Sequence, residues 1–190
     1  LRCSARAVEL QPTMAEAYSN MANVYKEQGD AASALSLYSR ALALKPDFAV
    51  RARLRGVAHA PPPPSSPFAH SASTLPVPSQ DAHGNVASML LQQGRNDEAL
   101  AHYEAAVAVS PDNACWQVDL GHLYRLNNRL ADAKACFVHA IRVAPTFAIA
   151  WSNLACINKD ERDIPAAITN YRKAIELDPS FLDAHSNLGA

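Results

Sequence analysis

The chain has 190 residues, of which 49% are hydrophobic and 18% charged, and its 17 basic and 18 acidic residues leave a net charge of −1 at pH 7. This balance is unlike that of a nucleic-acid-binding protein, which needs a basic face, or of a protein held to membranes by a polybasic patch. No apolar run approaches the ~18 residues of a membrane-spanning helix. We therefore expect neither nucleic acid nor a membrane among its partners.

Prolines recur along the chain at a fixed interval. Three of the four intervals between them are 34 residues and the other is 65; the prolines are Pro12, Pro46, Pro111, Pro145 and Pro179. Placing each proline at position 32 of a 34-residue unit divides most of the chain into repeats. A partial unit (1–14) and one complete unit (15–48) come first, and after 49–79 come three complete units (80–113, 114–147, 148–181) and a partial unit (182–190).

Each unit carries the pattern of two amphipathic helices, with apolar residues at positions 4, 7, 8 and 11 and then at 20, 24 and 27. Small residues at positions 8, 20 and 27 allow helix backbones to approach closely, and an aromatic residue at position 24 fills the space between neighbours. We expect these columns to form the core. The aromatic column is Tyr38, Tyr103, Phe137 and Tyr171.

Position 15 is expected to end the first helix of each unit. Gly29, Gly94 and Asn128 occupy it in the first three complete units, and these residue types tolerate a left-handed backbone conformation. Arg162 occupies it in the fourth, so the sequence predicts a differently built turn there. Pro165 follows near the start of a second helix, where its missing N–H is tolerated.

Residues 49–79 stand where one further unit belongs. Residues 49–60 can begin a helix, but seven prolines between 61 and 78 predict an extended or disordered segment. Three interpretations remain open: an insertion replacing a degenerate unit, translated intron sequence, or a polyproline ligand or phosphorylatable linker. If the segment is disordered, units 15–48 and 80–181 could form two stacks.

This 34-residue helix–turn–helix unit is identified as the tetratricopeptide repeat. Units of this kind cannot bury their apolar faces alone and stack into an all-α, right-handed superhelix (an α-solenoid) with a concave surface. Residue 1 falls inside a second helix and residue 190 inside a first helix, without polar capping helices. We therefore expect a fragment of a longer array.

Position 6 of the first helix is expected to face the concave surface. It carries a polar side chain in every unit: Asn20, Asn85, Asp119, Asn153 and Asn187. A carboxamide offers both a donor and an acceptor, so a row of them can engage the backbone of an extended peptide. Each such hydrogen bond contributes about 1 kcal/mol, so several must act together. A structural role in helix packing is the alternative.

The amino-acid sequences of the repeats show a narrower resemblance, beyond the general repeat pattern. AYSNMANVYKEQGD, NVASMLLQQGRNDEALAHYEAAVAVSP, LADAKACF, AIAWSNLACI, DIPAAITNYRKAIELDP and FLDAHSNLGA resemble the repeats of protein O-linked N-acetylglucosamine (O-GlcNAc) transferases, over everything outside 49–79. In that family the array precedes a glycosyltransferase domain that uses UDP-GlcNAc, and its asparagine ladder holds protein substrates and adaptors as extended chains. The resemblance gives that role to Asn20, Asn85, Asn153 and Asn187; Asp119 lacks the amide donor. It also implies a cytoplasmic or nuclear location and a homodimeric parent.

Other classes are less well supported by the sequence. Chaperone adaptors clamp a terminal carboxylate with cations at positions 2 and 5, and none is present; these positions hold Glu16, Asp81, Cys115 and Ile149, and Ser19, Gly84, Val118 and Ser152. A general tetratricopeptide scaffold unrelated to glycosylation remains the alternative. No catalytic motif occurs, so we assign no catalytic residue and expect no cofactor. His122 and Cys156 share position 9 without further ligands, and we expect no metal site.

Overall fold

The computed structural model describes residue 6, residues 10–44 and residues 78–189. In the described ranges the chain is all helical, and the predicted all-α fold is confirmed. The helices are α1 Ala15–Glu27, α2 Ala31–Leu44, α3 Pro78–Gln92, α4 Asn96–Val109, α5 Ala114–Leu126, α6 Leu130–Val143, α7 Ala148–Asp160, α8 Ile164–Leu177 and α9 Leu182–Gly189. Most of the segment 49–79 lies outside the described residues.

The predicted columns form the core. Every residue at positions 20, 24 and 27 of the four complete units is at most 4% exposed. Alanines at positions 20 and 27 let the helices approach, while the position-24 rings of Tyr38, Tyr103, Phe137 and Tyr171 are the largest fully buried side chains together with Leu123 and Ile157. The sequence periodicity therefore places the apolar stripe of each second helix correctly.

The chain forms two compact units, Leu1–Val109 and Ser110–Ala190. In the first unit, α1 pairs with α2 and α3 pairs with α4, and α3 packs against both α1 and α2. The repeats on either side of 49–79 are therefore stacked directly on each other. These two repeats are therefore not the separate stacks that a disordered 49–79 would have allowed.

Helix α3 also begins earlier than the repeat register predicts. Its first residue is Pro78, two residues before the expected start of the unit at Gln80. Proline is favoured at the first position of a helix because its fixed φ suits the helix and its missing N–H would have no intrahelical partner. The last proline of the segment thus starts a helix.

In the second compact unit, α5 pairs with α6 and α7 with α8, while α7 packs against α5 and α6. The final helix, α9, packs on α8 and closes a small core whose buried members are Ala155, Ala167, Tyr171, Ala174 and Ala184. This repeats the stacking seen in the first unit, with the first helix of each repeat seated on the pair before it.

The turn at Arg162 differs from the prediction. Arg162 has φ 65°, the same left-handed conformation as Asn128 (57°), Gly29 (79°) and Gly94 (73°). Its N–H donates to the carbonyl of Lys159 at 3.0 Å, and the next N–H donates to Asn158 at 2.8 Å, as in the other repeats. Packing of the two helices fixes this geometry, so the arginine adopts a strained conformation instead of changing the turn.

Pro165 lies in the first turn of α8, as predicted. The helix is capped by Asp163, whose side chain accepts from the N–H of Ala166 at 3.2 Å. An acidic N-cap satisfies an amide that would otherwise lack an intrahelical partner and suits the positive end of the helix dipole.

Candidate functional site

The candidate site is, within each of the two compact units, the surface made by positions 6, 9 and 12 of its first helices. These positions are three residues apart, so they lie along one side of each helix. We call them the ladder face. Its members are Asn20, Asn23 and Lys26 on α1, Asn85, Ser88 and Leu91 on α3, Asp119, His122 and Arg125 on α5, Asn153, Cys156 and Lys159 on α7, and Asn187 on α9.

In the first compact unit the ladder face is continuous from α1 to α3. The ammonium group of Lys26 donates to Oδ1 of Asn85 at 2.7 Å. The amide nitrogen of Asn85 donates to Oδ1 of Asn23 at 3.4 Å, and Asn23 also accepts from the hydroxyl of Tyr38. Positions 9 and 12 of one repeat therefore contact position 6 of the next.

The same contact recurs in the second compact unit. Lys159 on α7 donates to Oδ1 of Asn187 on α9 at 3.4 Å, and the Asn187 amide nitrogen donates to the carbonyl of Asp183 at 2.8 Å. Between α5 and α7, Arg125 donates to Asp160 at 2.9 Å. The hydrogen bond to Asp160 raises the pKa of Arg125. Position-12 cations thus bridge successive first helices.

The position-6 side chains divide into two kinds. Asn85 and Asn187 are hydrogen-bonded through both ends of the carboxamide. Asn20 is exposed and Asn153 half-buried, and neither has a hydrogen-bond partner among the described residues. Asp119 is half-buried. The predicted ladder residues therefore lie on the first helices as expected, but they are not equivalent.

Tyrosine hydroxyls of the second helices contact position-9 side chains of the ladder face. The hydroxyl of Tyr171 lies 3.2 Å from Sγ of Cys156, and burial followed by this contact raises the pKa of the phenol. A neutral phenol keeps its proton and can hold the position-9 side chain in place. His122, at the same position of another repeat, has an exposed side chain.

Position 4, in contrast, has a structural role. In three repeats its side chain donates to, or lies within hydrogen-bond distance of, the carbonyl of the proline before the helix: Gln117 to Pro111 at 3.0 Å, Trp151 to Pro145 at 2.9 Å and His185 to Pro179 at 3.0 Å. Each contact ties the start of a first helix to the loop before it. His185 therefore belongs to the scaffold.

His83 also occupies position 4 but has a different partner. Its Nδ1 lies 3.0 Å from Nδ1 of His102 on α4, with the ring centroids 5.2 Å apart. Burial and the neighbouring His102 lower the pKa of His83 to about 4, and burial lowers the pKa of His102. The contact was not predicted from the sequence, although positions 4 and 23 face each other across one helix pair.

The chemistry of the ladder face is that of a binding surface. It offers carboxamides, cations, the carboxylate of Asp119, the imidazole of His122 and a thiol, and within the described ranges no three or more His, Cys, Asp and Glu side chains group so as to hold a metal ion. Across the same ranges, each helix is too short or too polar to cross a bilayer. Hydrogen bonding and charge are therefore the means by which this surface would recognise a partner.

Family models of the tetratricopeptide repeat match residues 15–48, 90–155 and 162–190. Among curated proteins, Protein FlbA from Caulobacter vibrioides is 29% identical over 174 residues, which is 90% of this chain and 29% of FlbA. Protein O-mannosyl-transferase Tmtc3 from Drosophila melanogaster is 26% identical over 56% of this chain and 13% of its own length. The chain spans less than a third of the length of these relatives.

Solved structures have the same fold. A crystal structure of MamA superposes with a TM-score of 0.68 at 15% identity, covering 94% of this chain and 86% of MamA. YrrB, described as a tetratricopeptide-repeat protein with an unusual peptide-binding site, gives 0.59 at 17% identity over 98% of both chains. The first such domain of Spaghetti (RPAP3), bound to an HSP90 peptide, gives 0.56 at 19% identity over 58% of this chain and 87% of that domain. The helix pairs, their stacking and three matching family models make this chain a tetratricopeptide-repeat protein.

Proposed function

We propose that the chain docks extended segments of other proteins on its ladder face. One observation carries the proposal: the face presents a position-6 carboxamide in four of the five repeats that carry this position, and those of Asn20 and Asn153 have no partner among the described residues. A carboxamide in this state can donate to a peptide carbonyl and accept from a peptide N–H at the same time. Such contacts read the backbone of an extended chain rather than its sequence.

The solved neighbours support a peptide as the occupant. YrrB is described as having a peptide-binding site, and the RPAP3 domain was solved with an HSP90 peptide. Terminal-carboxylate clamping of the chaperone-adaptor kind is not favoured here, because Cys115, Val118, Ile149 and Ser152 stand at positions 2 and 5 of the two repeats in the second compact unit. An internal, extended segment fits the ladder face better than a chain terminus.

Two parent proteins remain as hypotheses. The resemblance of the repeats to those of O-GlcNAc transferases favours a substrate-docking array of such an enzyme. This resemblance rests on the amino-acid sequence of the repeats alone. A tetratricopeptide scaffold unrelated to glycosylation is supported to about the same degree, because the matching repeat models and solved structures require no glycosyltransferase domain. Sequencing full-length transcripts through residue 190 discriminates them, since the first requires a glycosyltransferase domain after the repeats and the second does not.

The docking proposal is tested with peptides selected on the full chain from a phage-displayed library of random 12-residue peptides. Substituting Asn20→Ala or Asn153→Ala removes one donor and one acceptor, and each lost hydrogen bond reduces affinity by about fivefold. We expect weaker binding of the selected peptides in fluorescence anisotropy, with unchanged helical circular dichroism.

The matched control is Asn170→Ala on α8, which removes a half-buried carboxamide on a second helix, away from the ladder face. We expect no change in peptide affinity for this variant. Selected peptides that bind wild type, Asn20→Ala and Asn153→Ala equally well would refute docking on the ladder face.

A further inference from the structure

The lysines of the described ranges divide into two pairs. Lys134 and Lys173 form ion pairs with Glu161 and Glu176, respectively. Lys26 and Lys159 are exposed and have no carboxylate partner among the described residues, although acidic residues are as common as basic ones in the chain. Both stand at position 12 of a repeat and contact a position-6 asparagine of the next repeat.

The third position-12 cation shows what neutralises such a side chain. Arg125 pairs with Asp160, which occupies position 13 of the following repeat. The equivalent of Asp160 opposite Lys26 is Gln92, which is uncharged. A carboxamide oxygen accepts a hydrogen bond from an ammonium group but leaves its positive charge uncompensated. Lys26 therefore presents an uncompensated cation beside the carboxamide of Asn85, and Lys159, beside Asn187, has no carboxylate partner among the described residues.

From this pattern we infer that the ladder face selects extended segments that carry aspartate or glutamate side chains, with Lys26 as the recognising cation of the first compact unit and Lys159 as that of the second. A hydrogen bond between an ammonium and a carboxylate is stronger than one to a neutral amide. When a partner carboxylate takes the lysine, Oδ1 of Asn85 or Asn187 is released to accept from the peptide backbone. An acidic side chain thus makes a further carboxamide available.

This inference rests on the proposed docking function, and one selection separates the two. Phage-displayed random 12-residue peptides are selected on the full chain, and the enriched sequences are compared with the starting library. Enrichment with an excess of Asp and Glu supports the inference. Enrichment without that excess overturns the inference but leaves docking in place, and no enrichment above a blank surface overturns docking itself.

The residues are then tested with one selected acidic peptide and its Glu→Gln version. Lys26→Gln and Lys159→Gln are expected to weaken the acidic peptide by about 1.5-fold to fivefold, as the loss of an exposed ion pair does. The charge-matched control Lys173→Gln removes a lysine from α8 and is expected to leave affinity unchanged. Rising salt should weaken the acidic peptide more than the Gln peptide.

The lysine substitution in the protein and the Glu→Gln change in the peptide should have non-additive effects on affinity. At whichever lysine the carboxylate contacts, the Glu→Gln peptide should bind wild type and the lysine variant equally well, because the contact is already lost. Full additivity for both lysines, or equal loss with Lys173→Gln, would show that only net charge matters and would overturn the inference.

Discussion

Replacing Arg162 with glycine should stabilise the second compact unit. Arg162 holds φ 65°, and a left-handed conformation costs a residue with a side chain roughly 1–2 kcal/mol. Glycine removes this strain, while its greater freedom in the unfolded chain takes back about 0.4–1 kcal/mol. The Arg162 side chain is exposed and has no hydrogen bond among the described residues, so no contact is lost. We expect a net gain of about 0.5–1 kcal/mol.

Thermal and urea denaturation followed by circular dichroism at 222 nm measures this gain. For a chain of this size, about 1 kcal/mol corresponds to a shift of roughly 2–4 °C in Tm. The control is Arg172→Gly on the exposed side of α8, where the same change should lower stability by about 1 kcal/mol because glycine is unfavourable inside a helix. An Arg162→Gly variant that is no more stable than wild type would refute the strain argument.

Two further predictions concern the first and second compact units. A Cβ on Gly121 would lie 2.7 Å from Cε1 of Phe137, so Gly121→Ala should lower the free energy of unfolding by about 1–3 kcal/mol in urea denaturation. Adding Phe137→Leu should restore part of this stability. Fully additive effects of the two substitutions would contradict the clash. Because His83 and His102 have lowered pKa values in the folded state, the unfolded state binds more protons below pH 6.5. The free energy of unfolding should therefore decrease as the pH is lowered from about 6.5 to 4, and Glu98 reduces the effect by partly raising the pKa of His102. Urea denaturation at several pH values measures this decrease. A His83→Gln/His102→Asn variant that loses as much stability over the same pH range would contradict the assignment.

The core of this protein could be predicted from the sequence because the repeat supplies several independent copies of the same packing problem. Ala34, Ala99, Ala133 and Ala167 recur at one position, and each is buried between helices. A periodic pattern of small and aromatic residues fixes which side of a helix faces inward, and only local information is needed to recognise it. The stacking of repeats then follows from the apolar faces that remain.

The features that sequence reasoning missed depend on contacts between elements. Arg162 follows the backbone of its helix pair against its own preference, because the packing of both helices determines the turn. The hydrogen bond between Lys26 and Asn85 joins residues 59 positions apart, across residues 45–77, which the structure does not describe. Neither the left-handed turn at Arg162 nor the Lys26–Asn85 hydrogen bond can be predicted from the residue type at one position, because tertiary packing decides both.

The ladder was predicted as a row of four carboxamides, with Asp119 as the departure that lacks an amide donor. The structure places all five position-6 residues on first helices, but Asn85 and Asn187 are held by neighbouring side chains or backbone, whereas Asn20 and Asn153 are not. The residue type at position 6 was visible in the sequence. Its hydrogen-bonding state depends on the cation at position 12 of the previous repeat, which differs between repeats.

Photo-crosslinking tests the docking account most directly. A peptide selected on the full chain, carrying a diazirine side chain at successive positions, is irradiated in the complex, and the crosslinked residues are mapped by mass spectrometry. Docking on the ladder face predicts adducts on the first helices at or beside Asn20, Asn85, Asn153 and Asn187. Adducts confined to exposed residues of the second helices, such as Val138 and Ile168, would contradict it.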